Sequence, residues 1–125
     1  MTEFKYMNVV DIAEKLSLFT DLWSPKIIGE LNGQLVKVAK LKGEFIWHSH
    51  AEEDELFLVI KGSLTIKLKE RDANLREGQF FIIPRGVEHL PVADEECHVL
   101  LFEPGSVLNT GDKVTDKTIA TLERL

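Results

Sequence analysis

Cysteine is nearly absent from this sequence, since Cys97 is the only one among 125 residues. A single thiol cannot form an intrachain disulfide, and it excludes zinc sites built from several thiolates. This usage is typical of a protein kept in a reducing, intracellular compartment. Glu95 and Glu96 precede the cysteine and would oppose thiolate formation. We therefore interpret Cys97 as a small core residue rather than a nucleophile.

Long apolar runs and blocks of like charge are missing as well. No segment approaches the ~20 apolar residues of a membrane span. The first residues, MTEFKYMNVV, lack the basic start and apolar core of a secretion signal. The formal net charge of -6 would repel phosphate backbones and anionic lipids. We therefore expect a cytoplasmic protein that binds neither nucleic acid nor membranes.

The composition that remains is that of an ordinary globular domain, with 44% hydrophobic and 29% charged residues. A chain of this length can bury a core without disulfide support. We expect a single domain over residues 1–125. It would consist of an N-terminal helix and lead-in over 1–25, a barrel over 26–104, and a C-terminal tail over 105–125 that packs on the barrel or on a partner.

Most of the chain between Ile27 and Glu103 consists of short β-like runs separated by turn signals. Asn32-Gly33 and Lys61-Gly62 each separate two such runs, as in β-hairpins. Upstream, the segment NVVDIAEKL predicts one short helix with Asn8 as its cap. Because strands do not alternate with helices, a dinucleotide-binding fold is excluded and an all-β sandwich or closed barrel is favoured.

Several of the predicted strands are apolar on both faces. In ELFLVI, residues 55–60, Phe57 and Val59 alternate with three further apolar side chains, and QFFIIP at 79–84 behaves similarly. A sheet face of this kind needs a cover. The N-terminal helix supplies part of it, and we expect a second copy of the chain to supply the rest in a homodimer.

Histidines in the segment EFIWHSH, residues 44–50, carry the first chemical signal. In a strand, His48 and His50 would project from one face with Ile46, and Trp47 would lie on the opposite face with Phe45. Two imidazoles so placed can bind one metal ion. On its own the pair is a weak signal, because single histidines are usually surface residues or satisfied core residues.

Glu55 and His89 extend this pattern. After a four-residue turn, Glu55 would begin the next strand pointing the same way, and the turn Pro84-Arg85-Gly86 would return the chain to His89. Three imidazoles and one carboxylate would leave coordination positions open on a divalent transition metal ion that prefers five or six ligands, and catalysis requires such open positions. The alternative interpretation is that residues 52–55 form a solvated acidic loop.

The spacing around these residues resembles the two sequence motifs of the cupin superfamily. The stretch Gly43-EFIW-His48-Ser49-His50-AEED-Glu55-LFLVIK-Gly62 resembles the first motif, and Gly78-QFFII-Pro84-Arg85-Gly86-VE-His89 resembles the second. The chain departs from the usual pattern in having four residues rather than five before His48, and in carrying Ala93 where an asparagine is common. The resemblance implies a double-stranded β-helix, or jelly-roll barrel, with four metal ligands: His48, His50, Glu55 and His89.

Similarity to the small single-domain cupins, including the mannose-6-phosphate-isomerase-like group, implies a metalloenzyme acting on a small organic molecule. The chemistry would be dioxygenase-like or isomerase-like, and the alternative is a non-catalytic cupin that binds or senses a small ligand. Fold alone does not choose between these functions. The nitrogen-rich ligand set suits one ion of Fe, Mn, Ni, Cu or Zn and disfavours Ca and Mg.

Two further residues have open interpretations. His98 alternates with Leu100 and Phe102, and if that face is the barrel interior it could act beside the metal as a base or substrate contact. We favour the other interpretation, in which it is an outward histidine without a catalytic role. Arg85 could bind an anionic substrate group, or it could simply be solvated.

Overall fold

The chain folds into one eight-stranded β-sheet that curves into a barrel. These elements come from a computed structural model that describes residues 7–125. Within that range there is one helix, α1 (Ile12–Leu16), and the strands are β1 (Lys26–Leu31), β2 (Gln34–Glu44), β3 (Glu55–Lys61), β4 (Ser63–Leu68), β5 (Asp72–Arg76), β6 (Phe80–Ile83), β7 (His89–Pro104) and β8 (Glu123–Arg124).

The long strand β7 joins the two halves of the barrel. Its first residues, 89–92, pair with β4, and residues 98–102 pair with β3, while β2 runs antiparallel along most of its length. The sheet order is β5-β4-β7-β2-β1-β8, with β6 added on β3. Because one strand serves both halves, the sheet closes around a common interior. The predicted all-β jelly-roll barrel is confirmed.

The interior is filled by the alternating side chains of these strands. On β7, Cys97, Val99 and Leu101 point inward and are buried. Burial, reinforced by the nearby charge of Glu77, raises the pKa of the Cys97 thiol to about 11. Because a thiol with that pKa stays protonated at neutral pH, the interpretation of Cys97 as an inert core residue is confirmed.

The helix begins later than predicted. Asp11, not Asn8, is the N-cap, since its side chain accepts a hydrogen bond from the backbone N–H of Glu14 at 3.2 Å. The helix therefore starts at Ile12 and covers the outer side of the barrel, where Leu16 packs in a cluster with Val38. Residues 1–6 of the expected lead-in lie outside the described part of the chain.

The segment EFIWHSH is not the continuous strand that its alternation predicted. Strand β2 ends at Glu44, just after Gly43, which has a φ of +83° and lies beside a register shift. Beyond it, only His48 makes a bridge, to His89. Phe45, expected on the face opposite the histidines, is consequently buried in contact with His48.

The C-terminal tail crosses the barrel mouth beside the histidine segment. Asp112 accepts a hydrogen bond from the backbone of Ser49 at 3.0 Å and donates one back at 2.9 Å. A Cβ atom at Gly111 would collide with the Ser49 carbonyl oxygen, so the approach requires glycine. Strand β8 then pairs in parallel with β1. The single-domain boundaries remain a prediction.

Across residues 7–125, no helix combines the length and the apolar character that would be needed to traverse a bilayer.

Candidate metal centre

The two motif segments are held together by backbone hydrogen bonds. The N–H groups of His48 and His89 each donate to the other's carbonyl oxygen, at 3.1 and 2.9 Å. The N–H of Gly86 donates to the His50 carbonyl at 2.8 Å. The turn that contains Gly86 thus docks on the first histidine segment, and this pairing brings residues far apart in sequence to one point.

Second hydrogen bonds fix the orientation of two imidazole rings. Nδ1 of His48 lies 2.8 Å from the carbonyl oxygen of Ile46, and Nδ1 of His89 lies 2.9 Å from that of Val87. A carbonyl oxygen can only accept, so each of these hydrogen bonds requires the hydrogen on Nδ1. The Nε2 lone pairs remain free for a metal ion.

Glu55 completes the group. Its Oε1 lies 3.4 Å from Nε2 of His50 and 3.4 Å from Nε2 of His89. One ligand atom from each of the four predicted residues lies within 4.8 Å of the others, and all four residues are buried. The structure therefore brings together His48, His50, Glu55 and His89, as the sequence motifs implied.

The residues at this point fit a metal ion. Nε2 of His50, Nε2 of His89 and Oε1 of Glu55 are buried, and no hydrogen-bond partner satisfies them among the described residues. Leaving such groups unpaired costs roughly 1–3 kcal/mol each. Separations of 3.4 Å are close to those of neighbouring ligands around one ion bonded at about 2.1 Å. A divalent ion would satisfy all of these atoms at once.

The protonation states at the cluster also favour a cation. Burial and the proximity of His89 lower the pKa of His48 to about 4, so this ring is neutral at pH 7. Burial alone would raise the pKa of Glu55, but its contacts with Glu103, His50 and His89 outweigh that effect and lower it well below the ordinary value. An ionised carboxylate and a neutral imidazole are the forms that bind metal.

A buried ion pair beside the cluster was missed by the sequence interpretation. Nζ of Lys37 lies 2.7 Å from Oε1 of Glu103, and both side chains are almost fully buried. Burial and the neighbouring Glu55 raise the pKa of Glu103 well above its usual range. Strand parity could have identified the pair, because Glu103 continues the inward series of Val99 and Leu101.

A cavity of about 40 Å³ opens beside the cluster. One wall is formed by Trp23 and Phe45, whose rings stack at a centroid distance of 4.8 Å. The sequence interpretation missed both residues as lining. The cavity is bounded largely by apolar side chains and by a few polar groups: Trp23, Pro25, Leu41, Phe45, His48, Glu55, Phe57, Pro91, Leu101, Glu103 and Asn109.

His98 and Arg85, whose roles the sequence left undecided, lie away from this cavity. The neighbours Cys97 and Val99 point inward, so His98 faces outward, where its Nε2 lies 2.7 Å from Oε2 of Glu96. That geometry contradicts a position for His98 beside the metal and agrees with an outward histidine. Arg85 is exposed and pairs with Asp54, with Nε 3.3 Å from Oδ1.

Comparison with known proteins finds a matching family model and relatives of similar sequence. A family model described as "Cupin domain" matches residues 34–103. The uncharacterized protein YdbB of Bacillus subtilis is 40% identical over 63 residues, which is 50% of this chain and 56% of that protein. The chain thus spans little more than half the length of this curated relative.

Solved structures show the same fold. A cupin-2 domain containing protein of Shewanella frigidimarina is 44% identical with a TM-score of 0.76, and the match covers 77% of this chain and 94% of that one. The hydroquinone 1,2-dioxygenase of Sphingomonas sp. TTNP3 is 19% identical with a TM-score of 0.69, covering 79% of this chain and 32% of that one. At that identity the likeness concerns the fold alone.

The lowered pKa of His48 predicts how the stability of the metal-free protein depends on pH. The unfolded histidine takes up a proton near pH 6.5 and the folded one only near pH 4. The unfolded state therefore binds more protons in this window, and the group's stabilising contribution, about 3 kcal/mol in full, is lost as the pH falls from 6.5 to 4.

Urea unfolding of chelator-treated protein across this pH range measures the effect. The loss in wild type should exceed that in His48→Gln. Equal pH dependence in wild type and His48→Gln would contradict the assignment.

Proposed function

The chain belongs to the cupin family, and from that premise we propose that it is a metalloenzyme acting on a small organic molecule. The observation that carries the proposal is the buried group His48, His50, Glu55 and His89 at the edge of a cavity. Within it, Nε2 of His50, Nε2 of His89 and Oε1 of Glu55 have no hydrogen-bond partner among the described residues. A purely structural barrel would have no reason to retain these atoms unpaired. A site with only four protein ligands leaves coordination positions for a substrate.

The chain's own residues determine what the site can do. A bound divalent ion supplies Lewis acidity and, if it is iron, manganese or copper, redox capacity. The imidazoles are oriented by the Ile46 and Val87 carbonyls, so little reorganisation is needed on binding. Apolar walls, including Phe45 and Phe57, keep bulk water from the reacting atoms and strengthen local electrostatic interactions.

Between the two chemistries, we favour the dioxygenase-like one. The hydroquinone 1,2-dioxygenase from Sphingomonas is built on the same fold, which supports the idea without fixing a substrate. An isomerase of sugar phosphates would need a cation for the phosphate, and no lysine or arginine is among the residues that line the cavity. The ion would be one of Fe, Mn, Ni, Cu or Zn. The cytoplasmic location remains a prediction.

We also propose that the chain forms a homodimer through the outer face of β3, β6 and β7. Strand register aligns its apolar side chains in two rows: Ile82, Leu56 and Phe102 in one, and Phe80, Leu58 and Leu100 in the other. Phe80 is 61% exposed and Ile82 is 49% exposed. A contiguous apolar face of this kind is typical of an interface between subunits.

Metal content tests the proposed ligands directly. Protein purified without chelators should contain about one transition metal ion per chain by plasma mass spectrometry. His48→Ala and His89→Ala should lower the affinity at least ~100-fold, since even supporting residues of such sites contribute 10–100-fold. Both variants should keep the circular dichroism spectrum of wild type, because the barrel core lies outside the cluster.

The matched control is His98→Ala, which removes an outward histidine and should leave metal content unchanged. Full occupancy in His48→Ala and His89→Ala would show that the ligands are wrongly assigned.

Oxygen uptake distinguishes the dioxygenase-like enzyme from the alternatives. Iron-loaded protein supplied with a panel of catechols, thiols and keto acids should consume oxygen with one of them, and His89→Ala should abolish the uptake because the ion is lost. If the loaded protein binds a compound of the panel but consumes no oxygen, the dioxygenase-like proposal fails and a binding or sensing cupin is favoured.

Sedimentation velocity tests the dimer. Ile82→Lys places a charge in the proposed interface and should convert the dimer to a monomer, because burying an unpaired charge is costly. Leu31→Lys, at a site of equal exposure on β1, is the matched control and should remain dimeric. A wild-type monomer would contradict the proposal.

A further inference from the structure

The ion pair of Lys37 and Glu103 is unusual in its position. Both side chains point into the barrel interior, with only 2% and 3% of their surface exposed. Replacing such a buried pair with apolar residues is often neutral or stabilising, because its desolvation cost offsets the attraction between the charges. Stability alone therefore gives little reason for a lysine and a glutamate at these two positions.

Only half of the Glu103 carboxyl group is engaged by Lys37. Oε1 accepts the bond from Lys37 at 2.7 Å, whereas Oε2 is buried with no donor among the described residues. The group in contact with Glu103 on its other side is the carboxyl of Glu55. Two carboxylates offer each other only acceptors, so Glu55 does not satisfy this oxygen unless a proton is shared.

Other polar groups along the cavity are already committed. The side-chain amide of Asn109 donates to the Lys117 carbonyl at 2.8 Å and accepts from the backbone N–H of Ile119 at 2.9 Å. The indole N–H of Trp23 donates to the Lys42 carbonyl at 2.8 Å. Among the residues that line the cavity, Glu103 thus offers a free polar atom that does not belong to the proposed ligands.

We propose that Glu103, anchored by Lys37, is the substrate-recognising residue of the cavity and hydrogen-bonds a polar group next to the oxygen that the substrate gives to the metal. The inference rests on the proposed metal site. It requires only the position of the free carboxyl oxygen, and either protonation state can form the bond, as acceptor or as donor.

The surroundings restrict the substrate class further. Because Glu103 contacts the ligand Glu55, the recognised group would lie close to the metal-bound oxygen of the substrate. A divalent ion, Glu55 and Lys37 give a positive sum of charges whether or not Glu103 is ionised, which favours an anion. At about 40 Å³ the cavity has room for only a few small groups. These constraints indicate a small anion that carries a second polar group close to its metal-bound oxygen, and an α-hydroxy acid is the simplest compound of this kind.

Glycolate and acetate form a probe pair for this inference. Both present a carboxylate to the metal, and only glycolate carries a hydroxyl group on the adjacent carbon. Isothermal titration of the metal-loaded wild-type protein should show glycolate binding about tenfold more tightly than acetate, as expected for one buried hydrogen bond to a charged group. Metal content is measured on the same samples.

Lys37→Met/Glu103→Leu removes both members of the pair and leaves no unpaired buried charge. With metal added to the same occupancy as in wild type, it should bind acetate as wild type does, while the preference for glycolate falls to about twofold or less. If that double variant does not fold, the double variant Lys37→Leu/Glu103→Met is used in its place. Lys26→Met is the matched control, because Lys26 is a buried lysine paired with Asp21 and Glu123 and does not line the cavity.

A wild-type protein that holds metal but binds glycolate no better than acetate overturns the inference and leaves the proposed metal site intact. An unchanged preference for glycolate in the double variant overturns it as well. If instead the wild-type protein holds no metal, the proposed function itself fails, and the two outcomes are thereby distinguished.

Discussion

The proposed metal site depends on the cost of burying polar side-chain atoms, away from water, at one point inside the barrel. Three imidazoles and a carboxylate are buried there, and Nε2 of His50, Nε2 of His89 and Oε1 of Glu55 have no hydrogen-bond partner among residues 7–125. Apolar packing cannot compensate such groups. The backbone pairing of His48 with His89 keeps the segments together, so the cluster is built into the sheet rather than added at its surface. A cation is the one kind of partner that relieves all four groups together.

The cavity beside the cluster offers space for a substrate next to the four buried ligands. Its apolar walls lower the local dielectric, which strengthens any interaction between a substrate and the charged groups at one end. The tail that crosses the barrel mouth is fastened to Ser49, immediately between two of the histidines. Asn109 of the same tail lines the cavity. The same fastening holds the histidine segment in place where it no longer belongs to a regular strand.

Much of the fold and the cluster could be predicted from the sequence because both depend on local spacing. Alternation fixed the inward face of β3 and of the second half of β7, and the glycine and proline positions identified the turns that return His89 to the first pair. The N-cap was misplaced because asparagine and aspartate are equally good caps, so the sequence did not show whether Asn8 or Asp11 begins the helix. Gly43 reversed the orientation of Phe45, since a register shift cannot be seen in an alternation pattern. Lys37 and Glu103 were overlooked because charged residues are rarely buried, although their parity was visible.

X-ray absorption spectroscopy of the protein as purified, at the edge of whichever metal it retains, tests the central claim most directly. The account predicts a first shell of nitrogen and oxygen atoms at about 2.0–2.2 Å, with the outer-shell scattering of about three imidazole rings and no sulfur. A shell with sulfur, or one without imidazole scattering, would contradict it, because the ion would then be bound somewhere other than between the three histidines and Glu55.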